Sequence, residues 1–276
     1  MPSVEQNISL WRDYDWERRG EEWSSAWGGS GPQWHWSLLP RVRAFVPAAT
    51  VLEIGTGYGR WTHYLKGLCE NFVGVDLSEN CVRECARRFA AHPHVAFRQN
   101  DGKSLWMIPD GSVDFVFSFD SLVHAEADVL RAYIAQLSRK LKPDGVGFIH
   151  HSNLGAYRRY YSGKRMLPRG KGLLARVGLL DNDGLRGADM TAGLFEAYAR
   201  EAGLQCISQE VVNWSSRRLI DSLSIFTPAG SAWARPNVLL RNPGFMAEAR
   251  HVRKLSRLYH FADAPPAALL AKPVDD

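Results

Sequence analysis

Short apolar runs alternate with amphipathic stretches along residues 48–149 of this chain. Strand-length apolar runs occur at residues 50–54, 71–75, 95–98, 113–119 and 146–149. Between them, apolar side chains recur at helical spacing, as in residues 82–89, where they fall at i, i+3, i+4 and i+7. Strands that alternate with helices through short connections predict a doubly wound α/β sheet whose strands are mostly parallel.

The alternation stops after residue 151. Residues 152–190 are rich in Gly, Arg and Tyr without a sustained period, which predicts a loop-rich insertion after the fifth strand. A helix near residues 191–202 and strand-like runs at 206–212 and 223–227 follow, and we expect these two runs to form an antiparallel hairpin at the sheet edge. A last helix is predicted near residues 244–260. The predicted fold is a Rossmann-like sheet of seven strands.

The N-terminal segment is dense in tryptophan. The first 36 residues hold six of the ten tryptophans, at positions 11, 16, 23, 27, 34 and 36. Exposed indoles would favour association, so we expect this helical arm to pack on the domain, with a helix over residues 33–45 that Pro47 ends. The chain is thus divided into an arm at 1–46, a domain at 47–230 and a helical tail at 231–276.

Composition narrows the class of protein. Hydrophobic residues make up 45% and charged residues 23% of the chain, as in globular proteins, which excludes wholesale disorder. The net charge of +5 is too small to indicate a nucleic-acid partner. The chain has no apolar run of roughly 18 residues and no signal-peptide pattern at its start, so we expect a cytoplasmic protein with no membrane contact. The four cysteines contain no CxxC pair and are expected to be buried free thiols.

A glycine-rich loop follows the first predicted strand. It has the spacing Gly-x-Gly-x-Gly, and the dinucleotide pattern GxGxxG is not met because position 60 is Arg60. With an acidic residue two positions before the first glycine, the loop resembles motif I of class I S-adenosylmethionine-dependent methyltransferases. The resemblance implies S-adenosylmethionine as cofactor, with its amino-acid part held by the loop. The residues concerned are Glu53, Gly55, Thr56, Gly57 and Gly59.

Two later strand ends carry further polar residues. Asp76 ends the second strand, where a carboxylate can accept hydrogen bonds from both hydroxyls of a ribose; alone, it would also suit a helix cap. The resemblance extends to Leu77 beside it and to the segment Asn100-Asp101-Gly102, which looks like the family's adenine-binding segment. Phe119, at the end of the fourth strand, is either a core aromatic or a ring that flanks the sulfonium.

The acceptor side is predicted after the fourth and fifth strands. This chain lacks the Asn/Asp-Pro-Pro-Tyr motif common in nucleic-acid and amide N-methyltransferases of this fold, which favours a small acceptor. His124, just beyond the fourth strand, is the candidate general base, and a hydrogen bond that orders the loop is its alternative role. His150 and His151 should face opposite sides of the sheet, and His151 with Asn153 is expected to border the acceptor pocket. Asp120 completes the candidate set.

Metal dependence is not expected. Asp120, a histidine and Asn153 would supply ligands for magnesium, but the metal-binding Asp-Asp or Asp-Asn dipeptide of the family's metal-dependent members is absent after the fifth strand.

The predicted function is transfer of a methyl group from S-adenosylmethionine to a hydroxyl of a small polar, sugar-containing acceptor. The segments WGGSGPQWHW, SFDSLVHAE and HHSNLGAY resemble bacterial methyltransferases of saccharide and natural-product tailoring. N-methylation of an amine on a similar acceptor is the nearest alternative. RNA methylation is a second, because residues 157–171 hold six basic residues and no acid; a cofactor-binding scaffold is a third. The tryptophans are either a lid or a packing device, and a homo-oligomer is left open.

Overall fold

The computed structural model describes residues 11, 14–165, 185–214 and 217–259, and gives no side-chain description of residues 162–165. In this part of the chain, eight strands form one sheet. Their bounds are β1 Ala48–Ile54, β2 Cys69–Asp76, β3 Val95–Gln99, β4 Val113–Ser118, β5 Leu141–Ser152, β6 Leu204–Val212, β7 Asp221–Pro228 and β8 Val238–Asn242.

The strand order creates a crevice at the carboxyl ends of the central strands. The order is β3-β2-β1-β4-β5-β7-β6-β8, with β1 to β5 parallel and β7 antiparallel to both of its neighbours. From β1 the chain first adds β2 and β3 on one side and then β4 and β5 on the other, so the strand order reverses between β1 and β4. These two strands are parallel neighbours, with Leu52 opposite Val116. Open α/β sheets bind ligands beyond the carboxyl ends of the strands at such a switch point.

Helices cover both faces of the sheet. The α-helices are α1 Ser30–Gln33, α2 Leu39–Val42, α3 Thr62–Leu65, α4 Glu79–Arg88, α5 Ala127–Lys140, α6 Arg158–Arg165, α7 Ala192–Glu201 and α8 Phe245–Leu258. A π-turn at Trp34–Leu38 and a 3-10 turn at Arg43–Phe45 make residues 30–45 one helical segment. None of the helices described is long and apolar enough to cross a membrane.

Two apolar layers hold the helices to the sheet. One contains Phe115 and Phe117 of β4 together with Trp27 and Trp34 of the arm, all at most 2% exposed. The other contains Val116 of β4 and the buried stripe of α5. Because successive strand residues face opposite sides, β4 supplies both layers. The arm from Trp27 onward is therefore packed into the same core as the sheet.

The predicted α/β fold is confirmed, with three differences. The sheet has an eighth strand, because β8 pairs with β6 although its residues are largely exposed and show no alternation of polarity. The β6–β7 hairpin is antiparallel as predicted, but β7 lies between β5 and β6, and β8 forms the edge. Residues 154–165 of the insertion are helical, and residues 166–184 lie outside the described residues, as does most of the basic stretch from 164 to 171.

Candidate active site

A pocket opens at the carboxyl ends of β1, β2 and β4. Its empty space, including solvent at the mouth, is about 990 Å³. The side nearest β2 is lined by Gly55, Thr56, Gly57, Asp76, Leu77, Cys81, Asn100, Gly102 and Tyr133, and the side nearest β4 and the arm by Trp11, Trp16, Trp23, Arg60, Trp61, Phe119, Asp120 and His124.

The glycine loop forms the wall between β1 and α3. Gly55 has a φ of 77°, and a Cβ there would lie 1.8 Å from Oγ of Ser121, so no other residue fits without movement of the loop after β4. Thr56 and Gly57 line the pocket, whereas Gly59 packs on Phe89 and does not reach it. The loop thus brings the backbone of Gly55 and Gly57 to the pocket wall, beside the side chains of Thr56 and Tyr58.

Asp76 faces the pocket at the end of β2. Its Oδ2 accepts a hydrogen bond from the Gly57 amide at 2.8 Å, and its Oδ1 accepts one from the Ser78 amide at 2.9 Å. Burial raises the pKa of Asp76 to about 6, even though these amide bonds favour the charged form. Each oxygen of the ionised carboxylate has a further lone pair, so Asp76 can accept bonds from two hydroxyls.

Glu53 lies behind the loop and does not line the pocket. It is 1% exposed, and its Oε2 accepts a hydrogen bond from the Thr62 hydroxyl, while Oε1 has no partner among the described residues. Burial, reinforced by the charge of Asp76, raises its pKa to about 8, so Glu53 is protonated at neutral pH. Glu53 therefore supports the loop from behind, and it does not lie at the pocket wall, where a residue in direct contact with cofactor was expected.

Of the predicted adenine-binding residues after β3, only some reach the pocket. Asn100 and Gly102 line the pocket, and the Asn100 amide donates to the Tyr133 hydroxyl at 2.8 Å. Asp101 turns away, because its carboxylate accepts the amides of Lys103 and Ser104 at 2.9 and 2.7 Å. Burial opposes ionisation of Asp101, but these bonds outweigh it and lower its pKa. The predicted adenine-binding acid therefore caps its own turn.

Asp120 lies at the acceptor side with both carboxylate oxygens close to basic groups. Its Oδ2 accepts a hydrogen bond from Arg60 at 2.8 Å, and its Oδ1 lies 3.5 Å from Nδ1 of His150. Burial alone would raise the pKa of Asp120, but Arg60 and His150 outweigh it and hold the pKa below its usual value. Asp120 is thus a permanent carboxylate and a poor proton acceptor.

His124 lines the pocket just beyond β4. Its Nδ1 lies 3.3 Å from the carbonyl oxygen of Leu185, and its ring centroid is 5.3 Å from that of Trp11. Burial lowers the pKa of His124 to about 4, and the charge of Arg186 acts in the same direction. The imidazole is therefore neutral at physiological pH and able to receive a proton.

The two histidines at the end of β5 face opposite sides, as the period of a strand predicts. His151 stacks on Phe195 with ring centroids 4.3 Å apart, its Nε2 lies 2.8 Å from the Ser224 hydroxyl, and burial lowers its pKa to about 3. Asn153 donates to the Leu219 carbonyl and accepts from the Ala192 amide. Neither residue borders the pocket, because β5 turns His151 toward α7. The expectation for this pair was wrong.

His150 is the histidine on the pocket side. Its ring lies 4.5 Å from that of Phe119, and its nitrogens lie 3.5 Å from Asp120 and from Asp221. Burial would lower the pKa of His150, but these two carboxylates outweigh it and raise the pKa. Sequence reasoning missed Arg60 as a residue that lines the pocket and His150 as the buried neighbour of Asp120 and Phe119. The one available signal was the replacement of the dinucleotide pattern's last glycine by an arginine.

Aromatic rings of the arm cover the pocket. Trp16 stacks on Tyr58 of the glycine loop with centroids 4.7 Å apart and planes 5° apart, and Trp11 contacts Trp16 and Trp23. Such a roof excludes water from the acceptor side. Within the described residues, no group of three or more His, Cys, Asp or Glu side chains is placed to hold a metal ion.

Part of this chain is similar to known proteins. Residues 51–145 match a protein-family model described as Methyltransferase domain. Phosphoethanolamine N-methyltransferase 1 of Triticum aestivum is 30% identical over 118 residues, which cover 41% of this chain and 24% of that protein. Squalestatin hexaketide synthase of Phoma sp. is 30% identical over 111 residues, covering 36% of this chain and 4% of that protein. The chain thus spans a quarter or less of the length of these relatives.

Solved structures show the same fold. The N-methyltransferase NodS of Bradyrhizobium japonicum WM9, solved with S-adenosyl-L-homocysteine, is 16% identical with a TM-score of 0.53, covering 81% of this chain and 97% of that one. The CcbJ methyltransferase of Streptomyces caelestis is 18% identical with a TM-score of 0.50, covering 75% and 96%. At these identities the likeness establishes the architecture alone.

Fold, glycine loop and the family match over residues 51–145 together support a methyltransferase domain of the S-adenosylmethionine-dependent class I type in that part of the chain, and this match implies S-adenosylmethionine as its cofactor. The residues present fit this cofactor. The loop offers backbone at Gly55 and Gly57, and Asp76 offers carboxylate oxygens at the position where a ribose is expected.

Proposed function

We propose that this chain transfers the methyl group of S-adenosylmethionine to a hydroxyl of a small polar, sugar-bearing acceptor. The observation that carries the proposal is the neutral imidazole of His124 in the same pocket as the glycine loop and Asp76. An alcohol must lose a proton as its oxygen attacks, and a neutral imidazole can take it. The large, ring-lined acceptor side supports a substrate with apolar faces, as a sugar has.

The chain's own residues divide the work by position. S-adenosylmethionine supplies an electrophilic methyl group, which an acceptor oxygen can displace in line from sulfur. The glycine loop and Asp76 hold the cofactor, Phe119 offers a ring face beside the acceptor side, and His124 receives the proton. The indoles of Trp11 and Trp16 exclude water from the reacting groups. Alignment of the acceptor oxygen with the methyl group supplies much of the rate.

N-methylation of an amine is the second candidate. The acceptor side favours it, because several aromatic rings lie there together with the ionised carboxylate of Asp120. Aromatic faces and a carboxylate both attract a substrate that carries an ammonium group. A base with a pKa of about 4 is also weak for an alcohol, whereas a neutral amine attacks without one. The wheat relative carries an N-methyltransferase name.

Matched acceptors separate the two candidates. The protein is incubated with methyl-deuterated S-adenosylmethionine and pairs of sugars that differ only by a hydroxyl or an amine at one carbon, and products are identified by mass spectrometry. Methylation of hydroxyl members supports the proposal, and methylation confined to amine members replaces it with the second candidate. Binding of S-adenosylhomocysteine without turnover of any pair contradicts both.

A further inference from the structure

Arg60 contacts three separate parts of the structure. Its Nη1 donates to Oγ of Ser24 in the arm at 2.9 Å, and its Nη2 donates to Asp120 after β4 at 2.8 Å. The guanidinium lies over the rings of Trp61 at 4.4 Å and of Trp23 in the arm at 5.3 Å. At 6% exposure, Arg60 is buried between the arm and the acceptor side of the pocket.

A line of buried charges continues from Asp120. Asp120 has a φ of 64°, in the left-handed region, and its Oδ1 lies 3.5 Å from His150 of β5. His150 lies 3.5 Å from Asp221 of β7, and Arg186 donates to both oxygens of Asp221 at 2.6 and 2.7 Å. Basic and acidic side chains thus alternate from the arm to β7, with His150 as the titratable member of the line.

Groups in such a line cannot move independently. A buried charge that loses its partner is strongly destabilised, so Asp120 keeps its orientation only while Arg60 and His150 hold it. Arg60 in turn keeps its place through Ser24 and two indole faces, which belong partly to the arm. Displacement of the arm therefore removes part of the support of Asp120.

We propose that Arg60 is a positioning residue that links the closed position of the arm to the orientation of Asp120 in the acceptor pocket. The proposal rests on the proposed function, because it assigns the acceptor to the Asp120 side. Arg60 itself takes no part in proton or methyl transfer.

Hydrogen exchange tests the link without knowledge of the acceptor. Deuterium uptake is measured for peptides covering residues 14–29 and 119–124 in the wild type, R60M, S24A and D120N, with and without S-adenosylhomocysteine. S24A is the sharpest variant, since Ser24 contacts Arg60 but not Asp120. We expect S24A to speed exchange about threefold, and R60M about tenfold, in both segments together.

Arg88 offers a matched control. Its Nη1 donates to carbonyls of the same glycine loop, at Tyr58 and Gly59, and its guanidinium covers Phe89. R88M therefore removes arginine hydrogen bonds to the loop without touching Ser24 or Asp120, and we expect it to leave exchange in residues 119–124 unchanged. Equal effects of R88M and R60M on that segment would overturn the proposal, as would faster exchange in the arm alone for S24A and R60M.

The titration of His150 gives a readout that a purely structural role would not move. The groups facing it are the carboxylates of Asp120 and Asp221, the backbone amide of Asp120, which donates to its Nδ1 at 3.3 Å, and the rings of Phe119 and Trp214. In R60M, Asp120 loses its competing cation, so NMR of 13C-labelled histidine should show His150 titrating at a higher pH than in the wild type, with R60K close to wild type. An unchanged titration in R60M would contradict the proposal. If the wild type failed to bind S-adenosylhomocysteine, the proposed function would fall, while the ligand-free exchange data would still decide the link.

Discussion

Asp76 and Glu53 are neighbouring buried carboxylates with opposite relations to the pocket. Asp76 faces it with a pKa of about 6, and Glu53 lies behind the loop with a pKa of about 8. At pH 7 Asp76 is mostly ionised and Glu53 is mostly protonated. Only Asp76 can therefore accept hydrogen bonds from ribose hydroxyls as a carboxylate, and its ionisation state should govern cofactor binding.

Cofactor affinity should depend on pH through Asp76. Because bound hydroxyls stabilise the ionised form, the affinity for S-adenosylhomocysteine should rise as pH increases through about 6 and level off above 7. Titration calorimetry between pH 5 and 8 measures this dependence. Asp76→Ala should weaken binding by about 1.5 to 3 kcal/mol at pH 7.5, and Asp76→Asn should flatten the profile.

Glu53→Gln is the matched control for Asp76. Glu53 is already protonated at neutral pH, and a glutamine keeps its shape and its acceptor for Thr62, so we expect an affinity within about twofold of wild type. A large loss of affinity in Glu53→Gln, together with an unchanged profile in Asp76→Asn, would show that Glu53 is the cofactor carboxylate.

His124→Ala tests the general base. Turnover should fall by about 10² to 10⁴ while affinity for S-adenosylhomocysteine stays near the wild-type value. Since the pKa of His124 lies at about 4, the contribution of His124 to the rate should be constant from pH 6 to 9, instead of rising near 6.5 as for an unperturbed imidazole. Steady-state rates across this range check both points, with exposed His251 as the control position. Retained activity in His124→Ala would favour an amine acceptor.

At the scale of elements, the glycine loop and the loop after β4 pack so closely that one added methyl group should separate them. A Cβ on Gly55 would meet Oγ of Ser121 at 1.8 Å and its Cβ at 2.5 Å. Gly111 has a similar positive φ of 61°, but nothing lies within 4 Å of a Cβ there. The pair separates the cost of backbone strain from that of the clash.

Gly111→Ala should lower the free energy of unfolding by about 1 kcal/mol and leave cofactor affinity unchanged, because only the left-handed backbone is penalised. Gly55→Ala should lower the free energy of unfolding further and weaken the binding of S-adenosylhomocysteine by more than tenfold. Denaturant unfolding and calorimetry measure the two effects. Adding Ser121→Gly to Gly55→Ala should restore part of the affinity, and its failure to do so would mean that the loops do not press on each other there.

The elements show which parts of the site could be predicted from the sequence. Apolar periodicity correctly predicts which residues of α5 and β4 face the core, because burial determines that pattern. Once the strands are located, the residues at the carboxyl ends of β1 and β2 follow. Periodicity also separated His150 from His151 but did not say which of them lies beside Asp120, because that depends on the neighbours of β5 across the sheet. Asp101 caps its own turn, a local competition that spacing does not reveal.

Across the whole molecule, the arm has two parts with different roles. Trp27 is fully buried between Trp214 and Phe245 and belongs to the core. Trp11 and Trp16 cover the pocket. The two hypotheses for the tryptophans, lid and packing device, can therefore be tested on different segments, whereas a deletion ending at residue 28 would remove both at once.

Deleting residues 1–19 separates the two parts, because it removes Trp11 and Trp16 and keeps Trp27 and the hydrogen bond that Arg60 donates to Ser24. The shortened protein should unfold at nearly the wild-type denaturant concentration and bind S-adenosylhomocysteine within about tenfold, or 1.4 kcal/mol, but lose most acceptor turnover as water enters the pocket. Trp27→Ala should instead lose about 3 to 5 kcal/mol of unfolding free energy. Unfolding curves, calorimetry and turnover on one acceptor compare the two variants. Unchanged kinetics in the deletion would reduce the pocket indoles to a packing role, and loss of folding would make residues 11–19 part of the core.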